Sequence, residues 1–207
     1  MKTVAALFVD EEGCYASARG VIVYGISKDA RTYDGPHPVV AHPPCQRWGK
    51  YYGGPMQDPH RYKKGMDVGC FASALTCVRN FGGVLEHPAN SHAWSWFGLN
   101  KPPAAGGWIP ADHFGGWTCC VDQGKYGHFA NKPTWLYAVG QKARPKLRWG
   151  RGDQRLPQWM IDRYGYEKAR KIGLMAMIGG KNKTRIREAT PPKFRNLLLR
   201  MARQVLS

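Results

Sequence analysis

The chain is poor in several things, and each shortage excludes something. No apolar run approaches the roughly 20 residues that a membrane-spanning helix needs, so no membrane partner is expected. Met1–Val9 runs straight into Asp10-Glu11-Glu12 with no small-residue cleavage site, so it reads as a first strand and not a signal peptide. None of the six cysteines forms a C-x-x-C pair, and Cys119 and Cys120 are adjacent. This spacing does not describe a secreted disulfide framework, and a reducing cytoplasm fits it better. There is no internal repeat and no low-complexity tract. Acids are scarce, with 14 Asp and Glu against 31 Lys and Arg.

What is present begins with the distribution of that charge. Residues 1–141 hold 13 Lys/Arg and 10 Asp/Glu, whereas residues 142–207 hold 18 and 4. A near-neutral body followed by a basic third is the electrostatic footprint of a polyanion binder, with nucleic acid the expected partner. At 207 residues and 43% hydrophobic content, the chain fits one domain with a small appendage.

Apolar runs at 3–9, 21–26, 38–42, 84–85, 117–121 and 134–139 read as strands. Residues 61–80 read as a helix with Met66, Cys70, Phe71, Ala74, Leu75 and Val78 on one stripe. Residues 88–116, rich in Gly, Pro and Trp, read as a long structured loop. Shorter helices are expected around Gln158–Tyr164 and Glu167–Ile178. Pro191-Pro192 opens a last helix whose stripe is Phe194, Leu197, Leu198, Met201, Ala202 and Val205. Strands alternating with helical stretches predict an α/β fold: a Rossmann-like, mainly parallel sheet flanked by helices, with a small basic loop-rich lobe. The expected division is 1–141 with 188–207 as the α/β body, and 142–187 as a basic insertion.

Pro43-Pro44-Cys45 follows the third strand. Two prolines stiffen the loop that carries a thiol, as nucleophilic catalysis requires of its attacking group. Glu86 ends the next strand. In open α/β sheets the ligand crevice lies at the carboxyl ends of the strands, so the thiol and the carboxylate are placed to share a pocket. A buried structural cysteine beside a surface glutamate is the competing reading. His42-x-x-Cys45 is the one close pair of metal-ligand type, short of the paired spacing of zinc sites, and no metal is expected.

The order Pro43-Pro44-Cys45, Glu86-His87-Pro88, Gln123 with Tyr126-Gly127-His128, and Lys132-Pro133-Thr134-Trp135-Leu136 resembles the catalytic half of cytosine-C5 DNA methyltransferases. More closely it resembles short phage-encoded proteins of that type, which would place it in the host cytoplasm. The similarity spans about residues 38–140 and 188–203. It implies Cys45 as nucleophile to a flipped base, Glu86 as the group contacting that base, and catalytic roles for Gln123 and Lys132. It implies S-adenosylmethionine as donor, with Phe8, Asp10, Asp29 and Pro43 at its site. The family's glycine-rich turn after the first strand is replaced here by Val9-Asp10-Glu11-Glu12-Gly13. Arg47 and Trp48 beside the thiol, together with Lys142, Arg144, Lys146, Arg148, Arg151, Lys181, Lys183, Arg185 and Arg187, are the expected DNA contacts, mostly to phosphates. The alternative is a catalytically silent DNA-binding protein on the same fold, serving phage DNA protection or host interference. A third reading, chemistry on a free pyrimidine nucleotide, leaves the basic third without a purpose.

Overall fold

The structure is a computed structural model that describes residues 1–54, 57–152, 155–172, 175 and 187–206. Seven strands form one sheet: β1 (Val4–Leu7), β2 (Val21–Tyr24), β3 (Val39–Ala41), β4 (Gly83–Pro88), β5 (Ile109–Pro110), β6 (Trp117–Asp122) and β7 (Pro133–Val139). Their order is β2-β1-β3-β4-β7-β6-β5. The first four pair in parallel, whereas β7 is antiparallel to both β4 and β6, and β5 is antiparallel to β6. The sheet is therefore mixed, which corrects the expected mainly parallel arrangement. Five strands still run one way, because β6 is reversed twice relative to β4. Strand direction is set by connections, and the short 123–132 connection returns β7 beside β6 without the crossover that parallel pairing demands.

Helices α1 (Cys70–Phe81), α2 (His92–Trp96), α3 (Gln158–Tyr164), α4 (Tyr166–Ile172) and α5 (Pro192–Arg203) complete the described elements, with single 3-10 turns at Ala30–Thr32 and Gln123–Tyr126. The 61–80 stripe predicts a longer helix than α1. Val68 (φ 50°) and Gly69 (φ 81°) take left-handed backbone that a right-handed helix cannot contain, so residues 61–69 stay a loop and Met66 is 56% exposed. Asp67 stands in for a cap, its carboxylate accepting from the backbone N–H of Gly69 and Phe71.

Side chains alternate faces along each strand. Leu7, Val39, Ala41, Leu85, Cys120, Trp135 and Tyr137 pack beneath α1 and α2 with Phe71, Leu75, Val78 and Trp94. Val4, Ala6, Val40, Val84, Cys119, Val121, Leu136 and Ala138 pack beneath α5 with Phe194, Leu197, Leu198 and Met201. The adjacent Cys119 and Cys120 thus serve opposite faces, as their spacing predicts. At the carboxyl edge the same alternation carries His42, Glu86 and Gln123 on to the α5 face, in phase with Val40, Val84 and Val121. The chain leaves β1 for β2 on one side and reaches β3 on the other, so β1 and β3 part at a topological switch point, where open α/β sheets bind their ligands. Among the described residues no helix is long and apolar enough to cross a membrane.

Candidate active site

The loop after β3 is held at several points. His42 extends the ladder by one bond, its N–H donating to the Leu7 carbonyl at 3.0 Å. Pro43 and Pro44 carry no N–H and end it. Trp48 N–H then closes a turn on the Cys45 carbonyl at 3.0 Å, and the Trp48 carbonyl accepts from His92 N–H at 2.8 Å. The Trp48 indole is 2% exposed, packs against Phe71, Trp96 and Phe97, and donates its N–H to Asp67 Oδ2 at 2.8 Å. Trp48 is therefore the anchor of the thiol loop. This corrects its expected place on a DNA-contacting surface: a large ring next to a Pro-Pro turn gains more from burial than from exposure.

Glu86 is 7% exposed. Its Oε2 pairs with His42 Nδ1 at 2.9 Å and its Oε1 accepts from Gln123 Nε2 at 3.1 Å. The same amide donates to Thr134 Oγ1 at 3.0 Å. On the far side of the ring, His42 Nε2 lies 2.8 Å from the Tyr15 hydroxyl. A buried row of polar groups thus runs Tyr15–His42–Glu86–Gln123–Thr134 across the ends of four strands. Burial pushes the Glu86 carboxyl up. The His42 hydrogen bond, with the charges of His42, Lys132 and His87, outweighs it and leaves the group at about 2. Glu86 is a carboxylate across the physiological range.

The Cys45 thiol is pushed up to about 11 by burial and by the Glu86 and Glu188 carboxylates, against the pull of Lys132. Those couplings place Cys45, Glu86, Lys132 and Glu188 in one electrostatic neighbourhood. Lys132 Nζ donates to the carbonyls of Glu188 and Ala189 at 3.3 and 3.2 Å. This fastens the site to the segment leading into α5. At neutral pH Cys45 is a thiol, and its proton must leave before it can attack.

His87 points to the opposite face, 1% exposed, against Phe71 and Trp94. Burial holds its proton affinity down, to about 4, with the Glu86 and Asp67 charges and the Pro44 carbonyl opposing. The Pro44 carbonyl stops short of a hydrogen bond, because neither ring nitrogen has a partner.

The residues expected to hold a donor are committed elsewhere. The Asp10 carboxylate accepts from Glu12 N–H, and its carbonyl accepts from Gly13 N–H. Glu11 binds the Ser27 N–H and hydroxyl at 2.9 and 2.6 Å. Asp29 caps the Ala30–Thr32 turn and forks on to Arg31. Pro43 is buried and Phe8, in left-handed backbone at φ 58°, is half-buried. Two of the four side chains assigned to S-adenosylmethionine thus spend their charge on local turns. With those bonds made, these residues as they stand do not fit that group. The shortage of glycine in the turn is the physical cause: an acid-capped turn closes on itself where a bare backbone would approach a ligand.

Of the expected DNA contacts, Arg47 is half-buried with its guanidinium 3.4 Å from the Tyr62 ring centre. Arg144 lies over Trp117, and Lys142 and Lys146 are exposed. Arg148 Nη1 donates to the Lys125 carbonyl and Arg151 Nε to Asn131 Oδ1, so both lie beside the 123–132 connection that carries Gln123. Arg155 N–H donates to the Phe129 carbonyl, so the basic segment passes along the same edge of the sheet. Arg187 Nη2 donates to the Met175 carbonyl. Lys181, Lys183 and Arg185 lie outside the described residues. Lys142, Arg144, Lys146 and Arg200 together line an open groove of ≈ 720 Å³ near the C-terminal end of α5.

Sequence reasoning missed Tyr15 and Glu188, gave Thr134 no role within its motif, and weighed His42 as a metal ligand or a structural strand-end histidine. His42 was accessible in principle, since it lies two residues beyond the inward-facing Val40. Tyr15 carried no periodic signal. Among the described residues no three His, Cys, Asp or Glu side chains gather to hold a metal ion. No family model, no curated protein and no solved structure matches the chain.

Proposed function

We propose that the chain acts on DNA as a pyrimidine-modifying enzyme of the cytosine-C5 methyltransferase type, with Cys45 as nucleophile. One observation carries the reading: at the carboxyl edge of β3 and β4, Glu86 accepts a hydrogen bond from Gln123 and is electrostatically coupled to Cys45 and Lys132. Five codirectional strands support the finer description of the fold as Rossmann-like. The basic third supports a polyanionic substrate, and its contacts beside Gln123 put that charge next to the site.

The chemistry follows from the charges. A base stacked in a duplex cannot reach a thiol at a sheet edge, so it must be turned out. The Cys45 thiol gives up its proton to solvent and the thiolate forms a bond to C6. The C5–C6 π pair shifts to C4–C5 and the C4–N3 pair on to N3, which takes a proton from solvent and donates it in a hydrogen bond to the Glu86 carboxylate. The N3–H so paired offsets the Glu86 charge, one of the two that raise Cys45, so base binding and thiol activation assist each other. Lys132 stabilises the sulfur anion. C5, now electron-rich, attacks a one-carbon electrophile whose leaving group departs with its bonding pair. N3 returns its proton to solvent, the original C5 hydrogen leaves as a proton to solvent, and its electron pair reforms the C5–C6 π bond as the thiolate is expelled. S-adenosylmethionine is the donor that the resemblance implies, and the residues assigned to it do not fit. No step here is routed through it.

A second reading, a silent DNA-binding protein on this fold, is favoured by one observation: both Glu86 oxygens already have protein partners. Exchange at C5 separates the two without any donor. Thiolate addition and protonation at C5 followed by reversal washes a deuterium label from C5 of cytosine in DNA. Washout with the wild-type protein, absent in Cys45→Ser, is the expected result. DNA binding with no washout at any pH between 7 and 10 would leave only the binding reading.

A further inference from the structure

Three candidates lie outside the chemistry above: the cationic groove at the end of α5, the unpartnered His87 between Phe71 and Trp94, and the Tyr15–His42 pair. The last is carried furthest by geometry. We infer that Tyr15 and His42 are positioning residues for Glu86, fixing the carboxylate through one oxygen so that Gln123 can hold the other.

The hydrogen-bond chemistry fixes the role of one ring nitrogen. Glu86 is a carboxylate and can only accept, so the 2.9 Å contact places the proton of His42 on Nδ1. Nε2 faces the Tyr15 hydroxyl at 2.8 Å, accepting from it when bare and donating to it when protonated. Tyr15 is 2% exposed, and burial, with the Cys14 and Glu86 charges, keeps its hydroxyl protonated well above the ordinary tyrosine range, against Arg195. The rings lie 5.4 Å apart and tilted. The groups facing Glu86 are His42 and Gln123, which bond it, and Lys132, Cys45 and Tyr15, which are coupled to its charge; His87 on the opposite face is coupled through space. Of these, His42 is the one that bonds its free oxygen. A carboxylate on a single partner rotates; one bonded on both oxygens does not, and reacting geometry demands such fixing.

The pair has a second consequence. Tyr15 belongs to the loop between β1 and β2, and His42 opens the loop that carries Cys45. The arrangement therefore ties the loop after β1 to the base-contacting carboxylate through two hydrogen bonds. A histidine oriented by a partner on each nitrogen is the usual device for fixing a tautomer.

The inference deepens the proposed chemistry, and its role in turnover rests on that reading. Its geometry is tested separately. Nitrogen-15 spectra of the His42 ring at pH 8 in the wild-type protein are expected to show the proton on Nδ1. A bare Nδ1, with the proton on Nε2 alone, would overturn the inference, whatever the activity. In C5 label washout, His42→Leu should be at least tenfold slower than His42→Gln, whose amide can still donate to Glu86. Equal rates for the two variants would also overturn it. Should the wild-type protein wash out no label, the proposed chemistry fails, and the ring spectrum alone decides the dyad.

Discussion

Trp48 and Asp67 are joined by a 2.8 Å hydrogen bond buried beneath the thiol loop. The same Asp67 oxygen accepts the Phe71 N–H at the start of α1. One carboxylate thus fastens the Cys45 loop to the helix that packs under β3 and β4. Trp48→Ala should cost about 3–5 kcal/mol, the range for deleting a buried aromatic ring. Asp67→Ala should cost about 1–3 kcal/mol by leaving the indole and two backbone N–H groups unpaired. Urea denaturation checks both, and equal stability for all three proteins would refute the anchoring role.

The reactivity of Cys45 should depend on Glu86. Burial contributes most to its raised value and the Glu86 carboxylate next. Glu86→Gln removes the charge and leaves the burial, so the thiol should fall from about 11 part of the way toward its ordinary 9.0. Alkylation at pH 8, followed by peptide mass spectrometry at Cys45, should be faster in the variant. A slower rate would show that the two groups do not feel one another.

His87 should make the protein sensitive to mild acid. Its proton affinity is depressed from 6.5 to about 4 in the folded protein. The unfolded chain therefore takes up the proton first as pH falls. The neutral, buried form stabilises fully above about 6.5, and that contribution is lost as pH falls from there to about 4. The loss is of the order of a few kcal/mol. His87→Phe should flatten the stability profile across that window, as read by thermal melts from pH 7 to 4. An unchanged slope would assign acid sensitivity elsewhere.

Gly83 should tolerate no side chain. A Cβ there would lie 1.9 Å from the Val39 carbonyl oxygen and its φ is +126°, at the first β3–β4 pair. Gly83→Ala should abolish the folded state, seen as loss of cooperative melting. A cooperative melt near the wild-type temperature would contradict the close strand approach.

DNA binding should fall steeply with salt, by a log–log slope of about 0.9 per neutralised phosphate. Replacing exposed Lys142 and Lys146 together by Ala should lower that slope by nearly two if both reach phosphates. An unchanged slope would remove the α5 groove from the DNA path.

Much of this was legible in the residues. The six apolar runs fall on β1, β2, β3, β4, β6 and β7, and the Pro192 start of α5 and its stripe from Phe194 to Ala202 fall where the periodicity puts them, whereas Val205 lies past the helix end, bridged to Gln141. The late start of α1 was not legible, because one left-handed Val-Gly pair overrode a good helical stripe. Nor was the burial of Trp48, since an aromatic beside a charged residue reads alike as surface or core. The partners of Glu86 lie 44 and 37 residues away in the chain, beyond any local pattern.

The sequence by itself determined where six of the seven strands and the last helix lie, that Cys119 and Cys120 serve opposite faces, and where the positive charge collects. Periods of two and 3.6 residues, and the count of ionisable groups, are properties of short segments and need no knowledge of the rest. Tertiary structure alone decided that β7 runs against β4 and β6, that His42 and Gln123 take the two oxygens of Glu86, and that the acids after β1 are spent on local turns. Strand direction and hydrogen-bond partnership depend on which distant segments the connections bring together, and no local period records that.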